Sequence, residues 1–277
     1  MPLIIVPTPI GNLEDITLRG LRTLREADII ACEDTRHTLK LLNHYEIKKP
    51  LISCHEHNEA ERVDLLMKRI EKGEKVALVS DAGSPGLSDP GGVIIKAAIE
   101  RGLPYDVLPG ANALLPALLL SGMDMESFFF AGFLKGKREQ KKTRLNSLCG
   151  QKSVLVFSLS PHKIISELEL MGEVLGDRRA VLVREISKIH QETVAGTLCS
   201  FKKSLPEEKI RGEFVCIVAG AEENTIIDDS LWMEEANKIT AGGESTKNVA
   251  NLLSIKYCIP RNRIKRYILE NCTGEVK

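Results

Sequence analysis

What most constrains this chain is an alternation of two hydrophobic periods along its length. Short apolar runs rich in β-branched residues, "LIIV" (3–6), "DIIAC" (28–32), "LISC" (51–54), "KVALVS" (75–80) and "YDVL" (105–108), read as buried strands. Between them lie stretches with helical spacing: Leu18, Leu21 and Leu24, then residues 36–43, a helix from Ala60 to Lys72 stopped by Gly73, and residues 91–101. Strand and helix in strict turn build parallel βαβ units. Residues 1–120 are therefore expected to form an α/β domain around a doubly wound sheet of five strands.

A second rhythm begins at residue 121. It runs through "SFFFAGF" (127–133), a helix at 138–148, strand "SVLVF" (153–157), a helix at 162–175, strands "AVLVREI" (180–186) and "QETVAG" (191–196), a short helix and "EFVCIVAG" (213–220). Two strands adjoin there with no helix between them, which predicts a second α/β domain, 121–225, with a mixed sheet. Residues 226–277 form a helical C-terminal extension that begins acidic and ends in two helical stretches around a turn. Arg261, Arg263, Lys265 and Arg266 open the second of them.

Composition limits what such domains do. With 277 residues, 43% of them hydrophobic, the chain has enough apolar material for real cores. The first 30 residues lack a signal peptide's basic start and cleavage site, and no apolar run reaches the 18 or so residues of a membrane span. A cytoplasmic protein with no membrane partner is expected. Seven scattered cysteines (Cys32, Cys54, Cys149, Cys199, Cys216, Cys258, Cys272) without a Cys-x-x-Cys pair fit reduced thiols rather than disulfides or zinc. Basic and acidic residues number 38 each, so no global field draws the chain to nucleic acid. Any RNA contact rests on local patches, for which "KGKREQKKTR" (135–144) and "RNRIKR" (261–266) are the candidates; as structure alone they read as solvated helix faces.

Three loops, "PTPIGN" (7–12), "DAGSPGLSDPGG" (81–92) and "PGAN" (109–112), each follow a predicted strand and so gather at the carboxyl edge of one parallel sheet. Open α/β sheets bind ligands at that edge. One such loop reads as turn punctuation; three on one edge read as a site. A phosphate cradle needs successive free backbone N–H groups, and Pro7 and Pro9 have none. Carbonyls held by rigid prolines, apolar contact from Ile10 and the acidic Asp81 suit instead an adenosine with a cationic, phosphate-free tail, the shape and charge of S-adenosylmethionine. That chemistry calls for no metal.

The stretches "VPTPIGNLEDITLRGLRTLREADIIACEDTRHT" and "ALVSDAGSPGLSDPG" closely resemble the ribosomal RNA small subunit methyltransferase I family, a branch of the tetrapyrrole methylase superfamily. "ISCHEHNE", "GFLKGK", "SPHK", "REISKIHQE" and "GEFV" follow in the family's order, so the resemblance spans roughly residues 1–220. It implies S-adenosylmethionine-dependent methylation of a cytidine ribose 2′-hydroxyl in 16S RNA, free or in the assembled small subunit. It also implies two α/β domains with a cofactor cleft between them, and a homodimer. Carried over residue by residue, it assigns cofactor contacts to Pro7, Thr8, Pro9, Ile10 and Gly11, to Asp81, Ala82, Gly83, Ser84, Pro85 and Leu87, and to Pro109, Gly110, Asn112 and Ala113. Two departures stand out: Ser158 and Leu159 precede "SPH" where the family often has an aromatic residue and an acid, and Ser84 replaces a frequent threonine. The rival reading is carbon methylation of a tetrapyrrole intermediate by the same fold and cofactor.

For a 2′-hydroxyl acceptor, the polar cluster "CEDTRHT" (32–38) is the candidate substrate site. Asp34 and His37 are candidate general bases, because the hydroxyl proton must leave or the oxygen must be aligned; Glu33 and Arg36 are candidate RNA contacts, Arg36 to a phosphate or a base face. Read structurally, Asp34 or Thr35 caps the next helix and Arg36 pairs with an acid. In "CHEHNE" (54–59), His55 and His57 alternate as on a strand end and are read as RNA contacts rather than metal ligands.

Overall fold

The computed structural model describes residues 2–55, 58–87, 91–221, 229–257 and 261–271. They divide into two compact units, 1–120 together with 183–192, and 121–182 together with 193–277.

The first unit runs β1 (Leu3–Ile5), α1 (Leu18–Glu26), β2 (Ile29–Cys32), α2 (Thr35–His44), β3 (Leu51–Ser53), α3 (Glu59–Glu71), β4 (Val76–Leu78), α4 (Gly92–Glu100), β5 (Tyr105–Val107) and α5 (Leu114–Ser121). The strands lie in the order β3-β2-β4-β1-β5, each pair parallel. Alternate residues serve opposite faces. Leu3, Ile5, Ala31 and Leu78 pack with Leu66, Met67 and Ile94 on one side, while Ile30, Cys32 and Ala77 pack with Leu24, Leu41 and Leu42 on the other. Covering both faces explains why these strands read as continuous apolar runs. The α1 helix starts where Thr17 accepts a hydrogen bond from the Gly20 amide at 2.9 Å. Helix α5 is an element that periodicity does not reveal: "LLPALLLS" is apolar on every side apart from its last residue.

The second unit contains β6 (Phe128–Phe133), α6 (Arg138–Asn146), β7 (Val154–Leu159), α7 (Ile164–Leu175), β8 (Arg179–Arg184), β9 (Glu192–Thr197), α8 (Phe201–Ser204) and β10 (Phe214–Val218). Its sheet order is β6-β7-β10-β8-β9, with β6 and β7 parallel and β7 and β10 antiparallel, a mixed sheet as expected. Phe157, Met171, Leu182 and Phe201 centre its core. Between α6 and α7 the Lys141 ammonium donates to the Glu167 carboxylate, an ion pair whose side chains are 11% and 5% exposed. Strand β8 ends at Arg184, two residues before the expected end. Glu185 (φ 53°) and Ser187 (φ 65°) enter the left-handed region, which no strand accommodates.

The extension holds three helices among the described residues, α9 (Asp229–Ala241), α10 (Thr246–Tyr257) and α11 (Arg261–Asn271), where the sequence pattern predicts two. The additional helix, α9, places Trp232 and Ala236 in a separate core with Val249, Leu253, Ile264 and Ile268. Cys32, Cys54, Cys199 and Cys216 are free thiols. Cys149 is disulfide-bonded, which corrects the expectation of thiols throughout, because pairing depends on proximity in the fold and not on spacing in the chain. No helix among the described residues is long and apolar enough to cross a membrane.

Candidate functional site

Because the five strands of the first unit lie side by side and run the same way, the segments leaving their carboxyl ends form a row. In sheet order these are the segment from Cys54, Glu33–His37, Asp81–Leu87, Pro7–Asn12 and Pro109–Ala113. The two polar clusters are thus neighbours at one end, and the three proline-glycine loops are neighbours at the other.

The three loops are tied to one another. The Thr8 amide donates to the Gly83 carbonyl and the Gly83 amide to the Thr8 carbonyl, both at 2.9 Å. The buried Thr8 hydroxyl donates to the Ser80 carbonyl at 2.9 Å, and the Ser80 hydroxyl reaches the Ala82 and Gly83 carbonyls at 3.2 Å. Gly83 has φ +77°, a conformation that only glycine adopts cheaply, and a Cβ there would lie 3.5 Å from Ile10 Cγ2. Gly110 needs its missing side chain for space. A Cβ there would lie 2.6 Å from Pro7 Cβ. Asn112 is partly used by the fold, since its Oδ1 accepts from the Leu115 amide at 2.9 Å and caps α5. Ser84 and Ala113 are half-buried, Pro85 is buried, and Gly11, Leu87 and Pro109 are exposed.

An open cleft of about 630 Å³ lies beside the first and third loops. Its walls are mainly apolar (Ile10, Leu115, Leu119, Ile186), and Asp15, Asn112, Ser187 and Gln191 supply the polar groups. No residue of the 81–87 loop lines it. Asp15 and residues 186–191 carry no role in the sequence reading, although "REISKIHQE" is one of the motifs behind the resemblance. Here that segment is anchored. The Ser187 hydroxyl donates to Asp15, the Ser187 amide donates to Gln191 Oε1 at 2.8 Å, and the Lys188 stem fills the space over Gly11, where any Cβ would collide with it.

In the polar cluster, Asp34 caps α2, its Oδ1 accepting from the Arg36 amide at 2.8 Å. The same carboxylate receives the Arg36 guanidinium, Nε at 3.2 Å and Nη2 at 2.8 Å. Hydrogen bonding from the Arg36 side chain, then from its amide, lowers the Asp34 pKa to about 2. The Asp34 amide donates to Asp81 Oδ1 at 3.1 Å, which joins this cluster to the second loop. Burial pushes the neighbouring Cys32 thiol up. His37 is exposed, and the Glu33 carbonyl accepts from the Ser53 hydroxyl at 3.3 Å. The His55 amide donates to Asn58 Oδ1 at 2.9 Å, whereas His57 lies outside the described residues. Among the described residues no three metal-ligating side chains come together.

In the second unit, Leu159 is buried in the core and Ser158 is half-buried, both within β7, so the departure at Leu159 serves packing. The first basic run is largely occupied. Lys141 is paired with Glu167, Arg138 and Lys142 with Glu173, and Arg144 lies over the Phe129 ring at 5.5 Å. In the other run Arg263 pairs with Asp229 at 2.6 Å, while Arg261, Lys265 and Arg266 make no ion pair among the described residues.

Known proteins match this chain in sequence and fold. The family model for Tetrapyrrole (Corrin/Porphyrin) Methylases matches residues 2–201, so the class is that of methyltransferase enzymes built on this fold. The Ribosomal RNA small subunit methyltransferase I of Bacillus subtilis (strain 168) is 42% identical over 84% of this chain and 80% of the relative. That of Synechocystis sp. is 36% identical over 97% of both. Within the class, the chain belongs to the ribosomal RNA small subunit methyltransferase I family. A solved structure of uroporphyrin-III C-methyl transferase from Thermus thermophilus, complexed with S-adenyl homocysteine, shares the fold with a TM-score of 0.56 at 19% identity, covering 79% of this chain and 97% of that one.

Proposed function

We propose that this protein transfers the methyl group of S-adenosylmethionine to the ribose 2′-hydroxyl of a cytidine in 16S RNA of the small ribosomal subunit. The observation that carries the reading is the row at the sheet edge, where the polar segment from Glu33 to His37 adjoins the three proline-glycine loops, in a chain 42% identical to a relative named for small-subunit RNA methylation.

The residues present fit the cofactor. Pro7 and Pro9 have no N–H, and the amides of Thr8 and Gly83 are spent on each other, so the Pro7–Pro9 turn offers a phosphate no free backbone donor. The cleft is mainly apolar, has few polar groups and falls within the size range of small-molecule sites. Residues 7–11, 81–87 and 109–113 would hold S-adenosylmethionine, which supplies an electrophilic methyl group on a sulfonium. Asp34 or His37 accepts the hydroxyl proton, Arg36 binds the RNA backbone, and Glu33, His55 and His57 complete the RNA contacts. Arg261, Lys265 and Arg266 on α11 form an outer RNA patch. The protein works in the cytoplasm as a homodimer, as the family resemblance implies, and sedimentation tests the dimer.

Alanine at Asp34, Arg36 and His37 tests the site. Cofactor affinity should stay near the parent value. Loss of the base should cost about a hundredfold or more in single-turnover rate, and loss of Arg36 should mainly weaken RNA binding and flatten its salt dependence. If all three variants methylate at the parent rate, the segment is a helix cap and the substrate lies elsewhere.

A further inference from the structure

The segment after β2 poses a conflict. On the proposed reading Asp34 is a candidate to take a proton from a ribose hydroxyl, yet Oδ1 accepts from the Arg36 amide at 2.8 Å and from its Nε at 3.2 Å, and Oδ2 from Nη2 at 2.8 Å. Held in this way its carboxyl titrates at about 2, and so acidic a group is a poor base. Arg36, for its part, spends its Nε–Nη2 edge on that carboxylate, the edge that would otherwise grip a phosphate side-on, and keeps only its Nη1 side free.

The pair is not locked by burial. The Arg36 side chain is 86% exposed and that of Asp34 34%. Exposed ion pairs contribute little to stability, and a phosphodiester offers a guanidinium the same two-oxygen geometry as a carboxylate. The surroundings of Asp34 are, by contrast, fixed and acidic. Its amide is held by Asp81 Oδ1 on the cofactor-loop side, and the buried Cys32 thiol senses the charges of both Asp34 and Asp81. The other titratable groups of the segment are Glu33 at the end of β2 and the exposed His37 on α2. Once the guanidinium is withdrawn, Asp34 keeps the hydrogen bonds of the Arg36 and His37 amides but loses the largest cause of its lowered pKa, so its affinity for a proton rises.

We propose that Asp34 and Arg36 form a clasp released by substrate: a phosphodiester of the RNA takes the Arg36 guanidinium, and the freed Asp34 carboxylate accepts the proton of the adjacent ribose 2′-hydroxyl. The inference rests on the 2′-O-methylation reading. In the transfer the hydroxyl oxygen's electron pair forms the bond to the methyl carbon, the pair of the broken carbon–sulfur bond stays on sulfur, and the proton ends on Asp34. Arg36 is then a positioning residue for the base as well as a binding residue for RNA. The arrangement confers selectivity, because a hydroxyl that arrives without a phosphodiester leaves the base clamped.

The test uses the full-length protein labelled with ¹³C at its aspartate carboxyls, the Asp34→Asn spectrum assigning the Asp34 signal. Between about pH 3.5 and 6 the signal of the free protein should be flat, because the group is charged throughout; with a short single-stranded RNA bound, it should titrate inside that window. Single-turnover methylation gives the second readout. Arg36→Ala should weaken RNA affinity about tenfold and keep the rate at saturating RNA within about threefold, while Asp34→Asn should lower that rate about a hundredfold or more. A parent enzyme that methylates small-subunit RNA but keeps a flat Asp34 signal with RNA bound overturns the clasp and leaves the function standing. So does an Arg36→Ala variant as slow at saturation as Asp34→Asn. A parent enzyme that methylates no ribose in that RNA overturns the functional reading, and the clasp with it.

Discussion

Gly110 has no side chain because the Pro7 ring occupies the place one would take. A Cβ at Gly110 would lie 2.6 Å from Pro7 Cβ and 3.0 Å from Pro7 Cγ, so Gly110→Ala must drive the third loop away from the first. Pro7 has little freedom to yield. It is buried, and the next residue, Thr8, is bridged by two backbone hydrogen bonds to Gly83. Overpacking of this kind costs about 1–3 kcal/mol. If the loops must return to their present spacing to hold the ligand, that strain is set against binding, and cofactor affinity falls about 5- to 150-fold. Gly92→Ala is the matched control, because a Cβ at that position, the first residue of α4, meets nothing within 4 Å. It should leave affinity unchanged and stability unchanged or slightly higher, by up to about 1 kcal/mol. Calorimetry with S-adenosylmethionine and S-adenosylhomocysteine, alongside thermal melts, makes the comparison. A folded Gly110→Ala variant that binds both as tightly as the parent would show that these loops do not frame the cofactor.

Cofactor binding should survive exhaustive treatment with EDTA; a loss that zinc or magnesium restores would place a metal in the site. Glu167→Ala strands the Lys141 ammonium in the second core and should destabilise the protein by about 3–5 kcal/mol, whereas Lys141→Met with Glu167→Leu should cost far less; equal losses in denaturant titrations would remove the buried pair from the account. Joint alanine substitution of Arg138 and Lys142, whose charges Glu173 already meets, should leave the salt dependence of RNA binding unchanged. The same change at Arg261 and Lys265 should lower its slope by about one for each phosphate that is no longer neutralised, and the opposite pattern would move the RNA patch to α6.

The sheet of the first unit is legible in the sequence because both its faces are covered. Burial on two sides forces uninterrupted runs such as "LIIV" and "KVALVS". Helix α5 is hidden by the same physics: a helix without a polar face has no 3.6-residue period to detect. The proline-glycine loops mark the site by position, but the reason for each residue lies in packing across the chain. Gly110 is set by Pro7, about a hundred residues away, and Gly11 by Lys188, so local pattern shows that a small residue is present and not why. Residues 185 and 186 read as the end of a strand because "AVLVREI" closes on the apolar Ile186; the left-handed φ of Glu185 and Ser187 instead breaks the strand, and Ser187 donates to Asp15. The run at 135–144 reads as basic, and its acidic partners, Glu167 and Glu173, are invisible until α7 is placed against α6. The capping of α2 by Asp34 is local and legible. That Arg36 closes on the same carboxylate depends on a rotamer that no sequence pattern specifies.

The central claim is the identity of the acceptor. Incubating the protein with S-adenosylmethionine labelled in its methyl group, against isolated small ribosomal subunits, free 16S RNA and a tetrapyrrole such as uroporphyrinogen in parallel, tests it most directly. The account predicts label in the small-subunit RNA and none in the tetrapyrrole. The labelled cytidine should resist alkaline cleavage on its 3′ side, because a methylated 2′-oxygen cannot attack the neighbouring phosphate. Label in the tetrapyrrole, or in a base whose ribose still cleaves in alkali, would contradict it.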